Sequence, residues 1–269
     1  MESKVVKKFL EKPYALSALG EGRYGEPYYN YLALLHLILV KKGRKQGFVI
    51  PGLIRNALKI CKKLDLVFKK SEWYFVQSVG EDNPLSVETT EEIKKMTKGR
   101  GNSEDILCGI DDKILERFYS GAISNDRLGE FEQYPKCCIK EFTNNVWGDF
   151  VQAAEIVGDD PKNVEMILNM QRAADQDERI FQRIKKIQLE DVAGTRINFP
   201  YVFHQACSNC LSDAKNSPSA KLNREWSKVA QEFPELNNLI VQGARDEGEN
   251  KKRLWEKSWQ EWVRDGCWG

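Results

Sequence analysis

Two pairs of cysteines are the groups in this 269-residue chain that are best suited to chemistry. Cys137 and Cys138 are adjacent in the segment YPKCCIKEF, and Cys207 and Cys210 form a CxxC in the segment FHQACSNC. A CxxC brings two sulfurs to one ion from a single turn of chain, and it is the usual half-site for zinc or for an iron–sulfur cluster. The two pairs therefore predict a shared metal site with four cysteine ligands.

The tandem pair bears on which metal is bound. Pro135 precedes Cys137, and the extended segment FPYVF precedes the CxxC, so each pair is expected where a loop meets a helix N-terminus. The free N–H groups and the helix dipole stabilise thiolates at that position. Adjacent side chains project about 100° apart on a helix, so a single tetrahedral zinc is harder to close around Cys137 and Cys138 than a four-iron cluster. We therefore expect an iron–sulfur cluster, with zinc as the alternative.

Other interpretations of the four cysteines stay open. They are a redox or sulfur-transfer thiol site without a permanent metal, and thiols that only pack in the core. His204 lies three residues before the CxxC and is a candidate further metal ligand, or otherwise a hydrogen-bond donor or proton carrier. Cys108 is a candidate fifth thiol of the site, whereas Cys61, Cys267 and His36 are expected to be a core thiol, a tail thiol and a core histidine.

The same residues resemble a known family. The string RLGEFEQYPKCCIKEF, followed by HQACSNCLSDAKNSPS, is similar to the uncharacterised, largely archaeal domain-of-unknown-function family 483, whose members show RLGE–x–x–GYPxCCxxxF and a later HxPCSxxC. The resemblance covers about residues 115–235 and implies no activity. This chain has Gln133 where the family has Gly, and Ala206 where it has Pro. The resemblance implies that one site contains Arg127, Glu130, Tyr134, Pro135, Cys137, Cys138, His204, Cys207, Ser208 and Cys210.

Composition limits the class of protein. The chain is 41% hydrophobic and 30% charged, which is typical of globular proteins and excludes disordered and collagen-like chains. The longest apolar run, residues 32–40, is too short to span a bilayer, and no signal peptide is visible. We therefore expect a cytosolic protein without membrane contact. An odd count of seven cysteines argues against a disulfide framework.

Periodicity predicts a mainly α-helical fold with a small β-hairpin. Residues 27–40 are apolar nearly all round, which is typical of a buried helix, and residues 51–64 keep apolar residues at helical spacing. Two β-rich runs, 66–70 and 73–78, predict the hairpin. Further helices are predicted at 111–119, 136–157, 161–189, 217–233 and from 234 to near the C-terminus, with an extended run at 196–203.

These elements predict three segments. Residues 1–80 form a basic helix-helix-hairpin module that is winged-helix-like. Residues 81–103 are polar, with Gly and Pro, and are expected to be a linker or covering loop. Residues 104–269 are expected to form a mainly helical domain that carries the cysteine site.

Basic charge is concentrated near the N-terminus. Residues 1–70 hold fifteen Lys or Arg against five Asp or Glu, although the whole chain has a net charge of only +1. Such a surface is typical of proteins that contact the phosphates of RNA or DNA, although it would also dock on the acidic remainder of the chain. The candidate contacts are Arg55, Lys59, Lys62, Lys63, Lys69 and Lys70, with Lys41, Lys42, Arg44 and Lys45 preceding them.

Two functional hypotheses from different classes follow. The first is a cytosolic cysteine-ligated metalloprotein, with an iron–sulfur cluster and a redox, sulfur-handling or nucleic-acid-modifying role. The second is a non-enzymatic nucleic-acid-binding protein with a structural zinc site. The chain has no P-loop, GxGxxG, HExxH or GxSxG motif, so the sequence names no substrate and leaves open whether the protein is an enzyme.

Overall fold

The fold is mainly helical with small sheets, as the sequence predicts. A computed structural model describes residues 2–13, 16, 27–50, 55–70, 72–75, 106–118, 120–123, 125–141 and 193–265. Its helices are α1 (Glu2–Glu11), α2 (Pro27–Lys41), α3 (Arg55–Lys63), α4 (Asp112–Glu116), α5 (Asn125–Phe131), α6 (136–141), α7 (Gly194–Asn198), α8 (Ser208–Ser212), α9 (Pro218–Ala230) and α10 (Pro234–Asp265). Its strands are β1 (Gly47–Ile50), β2 (Val67–Lys70), β3 (Glu72–Phe75), β4 (Ile106–Gly109) and β5 (Ser120–Ile123).

Helix α2 lies at the centre of the core. Its apolar residues from Leu32 to Val40 are buried all round the helix, which confirms the prediction from the sequence. It packs against α10, α9 and β1. A Cβ built on Gly243 in α10 would lie 2.8 Å from the Cβ of Tyr28 in α2, so glycine permits this close approach. The core formed around α2 includes Cys138, Cys207 and Cys210, so the site is anchored in it.

The sheet pairing differs from the predicted hairpin. Strand β4 lies between β1 and β2 and is antiparallel to both, with Cys108 opposite Phe48 on one side and Phe68 on the other. Strand β3 instead pairs in parallel with β5. Only Ser71 separates β2 from β3, whereas a tight hairpin needs a loop of about two residues or more. The two predicted strands are therefore present, but their pairing with each other is wrong.

The predicted extended run at 196–203 is also wrong, because its first part is helical. Residues 194–198 form α7, and the chain then turns back on itself. The buried guanidinium of Arg196 donates hydrogen bonds to the carbonyl oxygens of Val202 (2.7 Å) and Phe203 (3.2 Å). These hydrogen bonds bring residues 202 and 203 back to Arg196, so the segment folds on itself and does not form an extended strand.

Several predicted helices are found where expected. Helix α9 begins after Ser217, whose hydroxyl caps the helix by accepting a hydrogen bond from the backbone N–H of Ala220. Helix α4 begins after Asp111, which caps it by accepting from Ile114. Helix α10 starts at Pro234, a favourable first-turn residue. Local caps and prolines thus mark these boundaries in the sequence.

Some predictions lie outside the described residues. These are the linker at 81–103, the helix at 161–189 and the later part of the helix predicted at 136–157. The winged-helix-like arrangement and the three-segment division stay predictions. Within the described ranges, every helix is too short or too polar to cross a lipid bilayer.

Candidate metal centre

Cys137 and Cys138 lie in the first turn of α6. The preceding chain reverses sharply after α5, and Gln133 adopts a left-handed backbone with φ of 58°. The backbone N–H of Tyr134 donates to the carbonyl of Gly129 (2.8 Å), which closes this reversal. Pro135 then begins the helical hydrogen bonding, because its carbonyl accepts from the N–H of Ile139 (3.0 Å). The tandem pair therefore lies at a loop-to-helix junction, as predicted.

The CxxC lies at a second junction of the same kind. Cys207 has an extended backbone and is the N-terminal cap residue of α8, and Cys210 lies within that helix. The backbone N–H and the hydroxyl of Ser208 both donate to one carboxylate oxygen of Glu141 in α6, at 2.8 and 2.9 Å. Glu141 thus links the start of α8 to α6, which keeps the two cysteine pairs close together.

The four sulfur atoms converge. The Sγ atoms of Cys137, Cys138, Cys207 and Cys210 all lie within 4.8 Å of one another. The Sγ of Cys210 is 3.7 Å from that of Cys137 and 3.6 Å from that of Cys138. Cys137 is partly exposed and the other three cysteines are buried. This group of four thiols has the composition and spacing to hold a metal ion.

Two polar groups lie within hydrogen-bonding distance of the Cys138 sulfur. The backbone N–H of Cys207 donates to this sulfur at 3.4 Å, and the Ser219 hydroxyl is 3.3 Å away. Ser219 is fully buried at the start of α9. Hydrogen bonds of this kind stabilise a thiolate and orient it toward a metal.

Burial controls the ionisation of the thiols. It raises the pKa of Cys138 far above the ordinary value, and it raises the pKa of Cys207 to about 12. Burial alone would also raise the pKa of Cys210, but hydrogen bonds from Ser219 and the neighbouring thiols outweigh it, so the net pKa is lowered. A cation at the site would favour the thiolate forms of the buried Cys138 and Cys207, and its binding would release protons.

His204 lies behind this group rather than within it. Its Nε2 is 3.0 Å from the Ser219 hydroxyl, which itself contacts Cys138. Its ring contacts the ring of Tyr134, with a centroid separation of 4.7 Å and an angle of 40° between the two ring planes. Burial, together with the positive charges of Arg196 and Lys45, lowers the pKa of His204 to about 3. The imidazole is therefore neutral and supports the sulfur site through Ser219.

Cys61 and Cys108 form a separate pair. Their Sγ atoms are 2.9 Å apart, and both residues are fully buried where α3 packs against β4. Burial raises the pKa of Cys108 well above its ordinary value. The structure therefore places Cys108 beside Cys61 rather than with the four converging sulfurs, which corrects its proposed role as a fifth thiol.

The candidate nucleic-acid contacts are spread over two elements. Lys59, Lys62 and Lys63 are exposed on α3, whereas Lys69 in β2 forms an ion pair with Glu116 at 2.5 Å. The side chains of Arg55 and Lys70 lie outside the described part of the chain. Of the cations that precede α3, Lys41 and Lys42 form exposed ion pairs with Asp65 and Glu232.

The assignment of Lys45 to the basic surface is wrong, because its side chain is only 1% exposed. Its ammonium group contacts the Glu132 carboxylate and lies 2.9 Å from Nδ1 of His36. Its positive charge also faces the rings of Phe48, Tyr134 and Trp226. Lys45 is therefore part of the core and is unavailable to a nucleic acid.

The residues that the family resemblance groups together have different environments. Tyr134, Pro135 and Ser208 lie at the junctions that carry the cysteines. Arg127 and Glu130 are exposed on α5, where the Arg127 guanidinium donates to the carbonyl of Arg117 at 2.6 Å. Sequence reasoning missed Ser219, Glu141 and the Lys45–Glu132 pair, because isolated polar residues carry no local signal of burial.

Comparisons with known proteins identify no relative of this chain. No family model matches the chain, and no curated protein or solved structure is significantly similar to it.

Proposed function

We propose that this protein is a metalloprotein in which Cys137, Cys138, Cys207 and Cys210 hold one tetrahedral metal ion, with zinc as the first candidate. A zinc–sulfur bond of about 2.3 Å places the sulfurs of a tetrahedral site about 3.8 Å apart. The separations of 3.6 and 3.7 Å, within a group no wider than 4.8 Å, support this size of site. The convergence of the four sulfurs is the observation that carries the proposal.

The role that this site supports best is structural. Four cysteine ligands complete a tetrahedral shell and leave no open position for a substrate, which is typical of structural zinc. The ligands join the start of α6 to the start of α8, two segments that are far apart in the chain. Because the site is assembled only in the folded chain, the free energy of metal binding stabilises the fold.

An iron–sulfur cluster is the alternative metal centre. The buried environment and the N–H group of Cys207 that donates to the Cys138 sulfur are features that tune such clusters. A four-iron cluster binds each cysteine through a different iron, so it needs the four sulfurs farther apart than a single ion does. A protein with such a cluster would have the redox, sulfur-handling or nucleic-acid-modifying role of the first functional hypothesis.

Metal analysis of protein purified without oxygen tests the proposal. We expect a colourless protein with one zinc per chain. Cys138→Ser and Cys207→Ser should each lose the metal, whereas Cys61→Ser, which removes a buried thiol outside the group, should retain it. A brown protein with iron, sulfide and a broad visible absorption band would replace zinc with an iron–sulfur cluster. Unchanged metal content in both ligand variants would overturn the site itself.

A second candidate function is the binding of RNA or DNA by the N-terminal region. A groove of about 670 Å³ lies beside α1 and the end of α3, and the described residues of its lining include four lysines and one glutamate. These residues are Lys4, Lys7, Lys8, Lys63 and Glu11. The apolar face of α1, with Val5, Val6 and Phe9, is buried, and the lysines of α1 lie around the same groove as Lys63 of α3. This group of lysines supports phosphate binding.

Salt-dependent binding tests this second function. Fluorescently labelled tRNA and duplex DNA should bind at low salt, with a log–log slope of roughly one unit per phosphate contact. The triple variant Lys59→Glu, Lys62→Glu, Lys63→Glu should abolish binding, whereas Lys221→Glu, an exposed lysine on α9, should not. Failure of the wild-type protein to bind, or equal binding by the triple variant, would exclude this surface.

Membership of the family 483 group is also a proposal. It is supported by the motif residues around both cysteine pairs and by the left-handed backbone at Gln133, a conformation that favours the Gly of the family motif. Arg127 and Glu130 are exposed on α5, so we expect these two motif residues to make contacts outside the metal centre. The metal analysis of a second family member would test whether the centre is shared.

A further inference from the structure

Cys61 and Cys108 form a second pair of thiols, which the proposed metal centre does not use. Their Sγ atoms are 2.9 Å apart, and both residues are fully buried. The sulfur–sulfur bond of a disulfide is about 2.0 Å long, so its formation here needs the two sulfurs to approach by about 1 Å. The two thiols are therefore close enough to be joined by a small movement of their side chains.

The periodicity of two regular elements orients these thiols toward each other. The inward face of α3 consists of four buried residues at helical spacing, Ala57, Ile60, Cys61 and Leu64. On β4, Ile106 and Cys108 belong to the core around α2, whereas Leu107 between them belongs to a second, smaller cluster. Since side chains alternate along a strand, Cys108 faces the same core as Cys61. The pairing is thus a property of the backbone elements.

The connection between α3 and β2 also fixes the position of Cys61. The chain turns at Asp65, whose backbone is left-handed with φ of 54°, and the N–H of Leu66 donates to the carbonyl of Cys61 at 3.0 Å. This turn leads directly into β2, where Phe68 lies opposite Cys108 in the antiparallel register. Backbone hydrogen bonds therefore hold Cys61 beside the strand that carries Cys108.

A disulfide suits this pair better than a metal ion does. Protein zinc sites use three or four side-chain ligands. Among the described residues, the one group of three or more candidate ligands is the four-cysteine group, which does not include Cys61 or Cys108. Burial raises the pKa of Cys108 well above its ordinary value and so disfavours the thiolate that a metal needs. A disulfide is uncharged, so its burial has no such cost.

We propose that Cys61 and Cys108 are a site of oxidative modification, at which a low-molecular-weight disulfide such as oxidised glutathione converts them to a protein disulfide that stabilises the fold. One cysteine thiolate attacks the small disulfide and releases one small thiol, and the second cysteine then displaces the other. Two protein thiols are oxidised, and the two small thiols that are released take up the two protons. Because both cysteines are buried, the exchange takes place when α3 opens transiently from β4.

The position of the bond gives it a stabilising effect. Cys61 and Cys108 are 47 residues apart in the chain, so a covalent link between them restricts the unfolded state considerably. In the folded state, the link would join α3 to the middle strand of the sheet, which pairs with β1 and β2. We expect the melting temperature of the oxidised protein to exceed that of the reduced protein by roughly 5 to 15 °C.

Disulfide mapping on the full-length, metal-loaded protein tests whether the bond forms. Reduced protein is incubated with oxidised glutathione just below its melting temperature, where local opening permits exchange, and free thiols are then blocked with N-ethylmaleimide in denaturant. Peptide mass spectrometry should identify two peptides joined through Cys61 and Cys108, which are separate in the sample kept in reductant. Absence of the joined peptides, or the attachment of glutathione to each cysteine instead, would overturn the proposal.

Melting temperatures of the same samples test the stabilising effect. Cys61→Ala removes one partner, so its oxidised and reduced forms should melt at the same temperature. Ala57→Ser changes the same buried face of α3 but keeps both thiols, so it should retain the increase on oxidation. The mapping uses only the wild-type chain, so it gives a result whether or not a variant folds. A wild-type melting temperature that does not rise, or an equal rise in Cys61→Ala, would contradict the proposed role of the bond.

Discussion

Lys45 and Glu132 form a buried ion pair between the turn after α2 and the turn after α5. The second carboxylate oxygen of Glu132 accepts a hydrogen bond from the backbone N–H of Val49 at 2.8 Å, so the pair also holds β1. Burial raises the pKa of Glu132 and lowers the pKa of Lys45, while the attraction between the two charges opposes both shifts. The pair joins the sheet to the turn that precedes α6 and its tandem cysteines.

Removal of either member of this pair should destabilise the protein strongly. Lys45→Met or Glu132→Gln should each lower the free energy of unfolding by about 3–5 kcal/mol, because the remaining group loses its buried partner. The double variant should lose much less than the sum of the two. Urea denaturation measures these changes. Lys41→Met, which breaks an exposed pair with Asp65, is the control and should cost less than about 1 kcal/mol. Additive losses in the double variant would show that the two charges are not coupled.

Stability should depend on pH through His36. Its Nδ1 lies 2.9 Å from the Lys45 ammonium, and its Nε2 lies 3.1 Å from the carbonyl of Tyr201. Burial, reinforced by the charge of Lys45, lowers the pKa of His36 well below 6.5. The folded state therefore favours the neutral ring, so its contribution is complete above the unfolded-state pKa of about 6.5 and is lost as the pH falls below that value.

The comparison of wild type with His36→Gln isolates this contribution from other titrating groups. Between pH 7 and pH 5.5, the difference in unfolding free energy between the two proteins should shrink by about 1 kcal/mol. Urea denaturation at the two pH values gives the measurement. A difference that stays constant, or grows at the lower pH, would contradict the depressed pKa of His36.

Ser219 should strengthen metal binding without being a ligand. Its hydroxyl contacts both the Cys138 sulfur and His204, so it orients the thiolate. Ser219→Ala should therefore lower metal affinity about tenfold or more, as the loss of a group that orients a ligand typically does. Competition with a chromophoric chelator measures the affinity. Ser227→Ala, whose hydroxyl bonds only to the Arg224 carbonyl in the described structure, is the matched control on α9. Equal affinities of the two variants would exclude this role for Ser219.

Thiol reactivity should separate the two groups of cysteines. Cys61 and Cys108 are fully buried, and burial raises the pKa of Cys108, so both should resist iodoacetamide in the native protein with or without metal. Cys137 is partly exposed, so it should react once a chelator has removed the metal. Peptide mass spectrometry identifies the alkylated sites. Rapid labelling of Cys108 in the folded protein would contradict the buried pair.

The sequence alone was enough to predict the helical core and the four-cysteine group. The apolar run of α2, the Ser217 cap of α9 and the proline that begins α10 are local patterns, so they need no knowledge of distant contacts. The cysteine pairs were predictable for a different reason. Thiols at two helix starts can satisfy one metal only if they converge, and the 4.8 Å group confirms that convergence.

Only the tertiary structure decided the pairing of the strands and the surroundings of the site. Strand β4 takes its place between β1 and β2 through contacts with residues that are about 40 to 60 positions earlier in the chain, and such pairing leaves no local pattern. Lys45 looks like its exposed neighbours in the sequence, yet Glu132, 87 residues away, makes its burial favourable. Ser219 joins His204 to Cys138 in the same manner. A polar residue's burial depends on a partner that the folded chain supplies, so local sequence does not reveal it.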